Sequence, residues 1–436
     1  MRFLGVRVDV EGAHKLKQQL AEEEKELLQK IKKETQVDVQ IWAARSIAQV
    51  FEKLHLPYSR TEKTNSPSFT KNFLSTHTNP VVKHIAKARE INKAHTTFID
   101  TIIKYQHKGR IHADINPIRS DSGGTITGRF SYSNPNLQQI PARNKDLGPR
   151  IRSLFIPERD HTWGCFDYSQ QEPRLVVHFA AESESINNDV VKNIVSKFKE
   201  NKVDFHGVVA DMAGIPRDQA KTINLGLFYG MGKAKLQAEL GLETREEAEK
   251  LFEQYHGNVP FVQDLMNSTS REASNRGEIQ TILGRVCRFD KWEESAYSPG
   301  RLKVPMTKAE AEAESLSRQA EKIRKRNKYK LELKEITEEE IEKDIKKLRP
   351  KIRRAFTYKA LNKLIQGSAA DMTKKSMLEL YKEGIIPHIQ IHDELCVSIK
   401  SESEAKEIKK IMEEAIKLEI PNKVDYESGP NWGSIK

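Results

Sequence analysis

Two acid-bearing apolar stretches, far apart in the chain, constrain the fold more than any other feature. The first is Cys165-Phe166-Asp167-Tyr168-Ser169-Gln170-Gln171-Glu172-Pro173-Arg174, which follows Trp163. An apolar run closing on Asp reads as a buried strand that delivers a carboxylate to its tip. Apolar residues at helical spacing then follow from Glu172 to Phe179. The second stretch, Ile389-Gln390-Ile391-His392-Asp393-Glu394-Leu395-Cys396-Val397-Ser398-Ile399, alternates like a hairpin with acids at its middle. Two carboxylates brought side by side from distant strands cannot both stay ionised unless a cation sits between them. Paired divalent metals held about 3.5–4 Å apart clamp the attacking and leaving oxygens of a phosphoryl displacement. The sequence therefore predicts that Asp167 and Asp393 meet around two Mg²⁺ ions.

Composition narrows the setting. The chain has 436 residues and a formal net charge of +11. That length allows about two to four domains, and the basic excess favours a polyanionic partner. No apolar run is long enough to span a bilayer. The basic N-terminus lacks an apolar segment of the secretory kind. The three cysteines, Cys165, Cys287 and Cys396, lie far apart in sequence and match neither a zinc motif nor a disulfide framework. The expectation is a cytoplasmic protein, in a bacterial cell or a phage-infected host, without a membrane partner.

Along the chain, residues 1–108 read as mostly helical. Asp9 is a candidate cap for a helix to about Lys33 with Leu16, Leu20, Leu27, Leu28 and Ile31 inward. Further helices are expected over about Gln40–Leu54 and Val81–Tyr105. Residues 109–160 turn strand-like and loop-rich, with Arg129 and Arg143 set among Gly, Ser, Asn and Pro. Such cations suit a phosphate backbone, although a solvated loop is the simpler reading. Helices return over 180–290. In the helix opening at Pro216, Arg217, Lys221, Leu225 and Tyr229 recur every fourth position and share a face. Two cations and an aromatic on one stripe suit a nucleotide, as phosphate binders and a stacking platform. Residues 296–350 are dense in Lys, Arg and Glu and read as a solvated helical insertion, with Thr337 and Glu340 as a capping box. The remainder reads as a helix over 352–380, a hairpin over 386–399, a helix over 403–418 and a tail through Trp432. Asn362 and Gln366, four apart on the first of these helices, suit either a groove edge or a polar interface.

Taken together these stretches resemble the polymerase region of family A DNA polymerases. Asp167 through Arg174 resembles motif A, Arg217 through Gly230 motif B, and His392-Asp393-Glu394 motif C. Thr127-Gly128-Arg129-Phe130, Pro135 through Pro141 and Gly429-Pro430-Asn431-Trp432 are similar to further signatures of the family, in the same order. The resemblance implies an α+β right-hand polymerase with helical thumb and fingers and an antiparallel-sheet palm. The thumb would be 1–108, the palm 109–179 and 351–436, and the fingers 180–350 with the charged insertion at about 296–350. No exonuclease domain is expected within this chain.

The implied activity is template-directed addition of dNTPs to a primer 3′-hydroxyl, in replication or repair, by a monomer bound to primer-template DNA. Asp167, Asp393 and the main chain of Tyr168 would hold two Mg²⁺, with Mn²⁺ as a substitute and Glu394 as a supporting acid. Adjacent strand residues point to opposite faces, which leaves Glu394 short of a sure ligand. Gln170, Glu172, His206, Arg217, Lys221, Leu225 and Tyr229 would bind the nucleotide. Glu172 would be the gate against a ribose 2′-hydroxyl, and Lys221 the proton donor to pyrophosphate. Arg129, Asn136, Gln138, Arg143, Asn362, Gln366 and His392 would line the primer-template. Leu225 departs from the aromatic usual in the family and predicts strong discrimination against dideoxynucleotides. Gln171 and Pro173 replace an apolar pair common in motif A. Two other readings remain open at this stage. One is a single-subunit RNA polymerase or reverse transcriptase; the other is a catalytically silent primer-template binder.

Overall fold

The computed structural model describes residues 1–118, 123–142, 144–186, 188–200, 204–228, 231–295 and 306–435. These divide into two compact units. One comprises Met1–Tyr168, Ser376–Glu414 and Lys423–Lys436, the other Ser169–Lys375 and Ala415–Asn422.

In the first unit the long helix Val10–Thr35 starts where Asp9 accepts a hydrogen bond from the Gly12 amide at 2.9 Å. It buries Leu16, Leu20 and Ile31 and packs against the helix Pro80–Lys93. The latter passes through a π turn, Ala94–Ile99, into Asp100–Tyr105. The single helix expected there is thus one path with a widened turn, which carries the buried His95 to within 2.6 Å of the Glu24 carboxylate. A second cluster gathers Phe51, Tyr58, Phe69 and Phe73 around the helix Ala44–Lys53.

The element that positions the acids is a four-stranded antiparallel sheet. Thr162–Tyr168 is flanked by Glu394–Ile399 on one side and Val424–Gly429 on the other, with Ile389–Ile391 outside Glu394–Ile399. Side chains alternate between its faces. One face sends Trp163, Cys165, Ile389 and Cys396 into the larger apolar core. There Trp163 stacks between Trp432 and His388, each centroid 6.1 Å away. The other face stacks Phe166 on Tyr426 at 4.8 Å. It also buries the Tyr168 ring, whose hydroxyl reaches Ser376 and the Met412 carbonyl. The strand is therefore gripped from both faces around Asp167.

The second unit is largely helical. Phe205–Ala213 and Arg217–Phe228 pack together, joined through Gly214 at φ 63°, a left-handed conformation that suits glycine. Arg285 and the buried Asp371 form a 2.9 Å ion pair, reinforced by Thr281 on the same carboxylate. The charged insertion forms two helices, Lys308–Glu332 and Glu338–Lys346. Capping boxes open them at Thr307/Glu310 and at the expected Thr337/Glu340. Arg318 ties the longer one to the buried Glu294 at 2.6 Å.

One stretch expected to be helical is a strand instead. Ile352–Arg354 pairs with Trp292–Glu294. Arg353 faces Glu293 and bonds it at 2.7 Å, and Arg354 lies over the Trp292 ring at 4.6 Å. These cross-strand pairs outweigh the helical periodicity, and the helix begins only at Ala360, running to Lys382. Among the described residues no helix is long and apolar enough to cross a membrane.

Candidate active site

The sheet brings four carboxylates to one end. Asp167 is the central residue of a row, paired in register with Glu394 on one side and Asp425 on the other. Directly opposite residues of antiparallel strands share a face, so these three point the same way. Asp393 joins them from a two-residue turn between Ile391 and Glu394. His392, the first turn residue, has φ 56°, and the Gln390 side chain donates to its carbonyl. The Asp393 carbonyl accepts from the Tyr168 amide at 3.4 Å, and its carboxylate shares a hydrogen bond with Asp167. The strand-alternation argument that separated Glu394 from Asp393 does not apply, because Asp393 lies in the turn and not on the strand.

The electrostatic consequence is a crowd of negative charge. Burial, then Asp393, Glu394 and Asp425, push the Asp167 carboxyl up to about 8, although its side chain keeps an open edge to water. A proton shared by Asp167 and Asp393 is one way to relieve such a pair; a divalent cation is the other. The donor set is all oxygen, which fits a hard ion such as Mg²⁺.

Several of the side chains expected at the primer-template sit around this turn. Gln138 donates to the Gln390 side chain at 3.4 Å, and the Gln390 amide donates to the Tyr132 hydroxyl. Half-burial and the nearby Arg129 hold His392 below the usual imidazole range. Asn136 accepts from the Gln138 amide at 3.1 Å and so caps the short turn Leu137–Gln139.

A second constellation lies in the other unit. Lys221 and Arg217 are exposed on the helix Arg217–Phe228. Arg217 pairs with Asp204, which also caps the helix Phe205–Ala213. Burial opposes the charge on Asp204, but Arg217 outweighs it and holds the carboxyl below its ordinary range. His206 is buried, and its Nδ1 lies 3.1 Å from the Asn224 amide, whose oxygen accepts from Tyr255. Burial keeps His206 neutral despite Asp204, with Lys221 and Arg217 pushing the same way as burial. Gln170, at φ 55°, bonds the Phe205 amide at 2.8 Å, while Glu172 is buried in the first turn of Gln171–Glu182. Asn362 and Gln366 are half-buried on the helix Ala360–Lys382.

A family model for DNA polymerase family A matches residues 10–434. The chain belongs to this family. It is 29% identical to a "DNA-directed DNA polymerase" of Pseudomonas phage M6, over 99% of this chain and 64% of that protein. It is 30% identical to the thermostable DNA polymerase I of Thermus aquaticus, over 100% of this chain and 47% of that protein. The chain thus spans about half to two-thirds of the length of these relatives. Among solved structures, the POL domain of Pol1 from M. smegmatis, in complex with DNA primer-template and dNTP, matches with a TM-score of 0.71. The identity is 22%, covering 99% of this chain and 68% of that one. That likeness speaks for a shared α+β polymerase fold.

Three expectations fall beyond what is described. Arg143 and Tyr229 lie outside the described residues, and so does the side chain of Leu225. In the other direction, the sequence reading of this family A chain missed Asp425, whose place beside Asp167 depends on strand order. It also missed Asp204 as the partner of Arg217, and the facing of Cys165 and Cys396 in the sheet. The alternation Val424-Asp425-Tyr426-Glu427 was the available signal for the first.

Proposed function

We propose that the chain is a template-directed DNA polymerase that joins dNTPs to a primer 3′-hydroxyl with release of pyrophosphate. The observation that carries this reading is the carboxylate contact of Asp167 with Asp393, flanked by Glu394 and Asp425, in a chain of family A. Asp167 and Asp393 would hold two Mg²⁺, and Mn²⁺ would substitute. When bound, such ions lower the pKa of the attacking hydroxyl and neutralise the triphosphate.

The chain's own residues do the rest. Arg217 and Lys221 bind the β- and γ-phosphates, and Lys221 passes a proton to the leaving pyrophosphate. Neutral His206, fixed by Asn224, donates to the nucleotide. Glu172, set in a buried first turn, would act as the gate against a ribose 2′-hydroxyl. Gln138, Asn136, Arg129, His392, Asn362 and Gln366 test the terminal pair through minor-groove acceptors that every correct pair shares. In this assignment residues 1–108 form the thumb, 109–179 and 351–436 the palm, and 180–350 the fingers.

Extension of a labelled primer decides the matter, with dNTPs or NTPs on DNA or RNA template and Asp167→Ala as control. dNTP-dependent lengthening on DNA, lost in the variant, is the expected result. Gel retardation of primer-template without lengthening would leave only a binding protein. Preference for NTPs would overturn the role of Glu172.

A further inference from the structure

The row of the sheet next below the acids carries a different set of metal-binding atoms. Cys165 and Cys396 are paired in register one step along from Asp167 and Glu394. The bond from the Tyr168 amide to the Asp393 carbonyl sets the ladder. It makes both Asp167/Glu394 and Cys165/Cys396 non-hydrogen-bonded pairs, the kind whose side chains approach most closely. The two Sγ atoms are 3.5 Å apart, and both are free thiols. The Cys396 Sγ lies 3.1 Å from Glu394 Oε1. Ligand atoms of all three residues fall within 4.8 Å of one another.

We propose that Cys165, Cys396 and Glu394 form a binding site for a soft divalent cation of the Zn²⁺ or Cd²⁺ class, distinct from the all-oxygen Mg²⁺ set above it. Two sulfurs bound tetrahedrally at about 2.3 Å from zinc stand roughly 3.8 Å apart, so the observed pair needs only a few tenths of an ångström of movement. Thiolates select such ions over Mg²⁺, which prefers oxygen and its own water. Three protein ligands leave a fourth position for water. The core around Trp163 and Trp432 closes the site from below. A cation on the thiols engages Glu394, the residue facing Asp167, and so draws part of that carboxylate's charge away from the acid row. Occupancy therefore alters the acidic cluster and slows any reaction that depends on it. The binding site stands whether or not the chain polymerises DNA; the inhibition rests on that reading.

The test is titration of the whole chain with Cd²⁺, followed by the ultraviolet thiolate-to-cadmium charge-transfer band. One equivalent should saturate the band. Cys165→Ser and Cys396→Ser should each abolish it, Cys287→Ser should leave it, and Glu394→Gln should weaken binding at least tenfold. No stoichiometric band, or a band that survives both sheet substitutions, overturns the site. The cadmium NMR shift of the unmutated chain decides the same point without relying on variants that fold. Sulfur-ligated cadmium is expected, and an all-oxygen shift refutes the site. Primer extension in excess Mg²⁺ then reads the coupling. Zn²⁺ should inhibit the parent chain at concentrations that leave the Cys165→Ser/Cys396→Ser double variant unaffected. Equal inhibition of both would refute the link between the two rows.

Discussion

Replacing Asp167 by Asn should abolish primer extension and yet make the metal-free protein more stable at alkaline pH. In the fold the Asp167 carboxyl moves from an ordinary 3.8 up to about 8. Between those values the folded state holds a proton that the unfolded chain releases. Stability therefore falls as pH rises through this window, is unaffected by this group below it, and levels off above it. For a carboxyl sealed from water the full loss would be ~5–6 kcal/mol, at 1.36 kcal/mol per pH unit. Asp167 has an open edge, and solvent screening reduces the figure to about 1–2 kcal/mol. The amide keeps the shape and removes the charge. The variant should match the parent near pH 4 and exceed it by that amount at pH 8, roughly 2–8 °C in Tm for a unit of this size. Mg²⁺ should stabilise the parent and narrow the gap, since a ligand that binds only the folded form raises stability by mass action. Urea and thermal unfolding from pH 4 to 9, with chelator or with Mg²⁺, measure all of this. If the Asp167→Asn variant gains nothing at pH 8, or gains as much at pH 4 as at pH 8, the electrostatic account is refuted.

Other substitutions probe the second unit. Asp204→Asn keeps a capping oxygen for the helix Phe205–Ala213 but removes the negative charge that pairs with Arg217; the KM for dNTP should fall up to about fivefold with kcat little changed, the worth of one exposed ion pair. A steady-state KM that rises would show that Asp204 positions Arg217 instead of competing for it. Leu225→Tyr should raise dideoxynucleotide use relative to deoxynucleotide roughly tenfold, about the effect of one gained hydrogen bond; an unchanged ratio in single-nucleotide extension rejects the idea. Asp371→Ala removes the buried carboxylate that pairs with Arg285 and accepts from Thr281, and should cost about 2–4 kcal/mol in urea unfolding. A loss below 0.5 kcal/mol, roughly the range of surface changes, would mean that the pair is replaced by water.

Local chemistry was legible in the sequence wherever one segment suffices to specify it. Asp9 caps its helix and Thr337 with Glu340 closes its box, because each needs only its own neighbours. The strand that carries Asp167 next to its last residue, and the hairpin turning at Asp393, follow from apolar patterning alone. What escaped was whatever strand order and register decide. Asp425 joins the acids because Val424–Gly429 borders the central strand. Ile352–Arg354 became a strand because Trp292–Glu294 supplied a ring and a carboxylate opposite its arginines. Neither partner is visible from within the segment it reshapes.

That register also accounts for how a chain of net charge +11 concentrates negative charge at one point. Each strand of the sheet contributes at most one acid to the Asp167 row, and each of these strands is stabilised elsewhere by apolar neighbours. Trp163, held between Trp432 and His388, and Tyr168, bonded to Ser376 and Met412, fix Thr162–Tyr168 from opposite faces. The repulsion at the tip then cannot be relieved by moving the backbone. It is relieved by a proton or a cation, and a site that must take up one of the two is already organised for the metal before any substrate arrives. A looser sheet would spread the acids and lose that bias, so substitutions at Trp163 or Tyr168 should weaken Mg²⁺ stabilisation before they remove the fold.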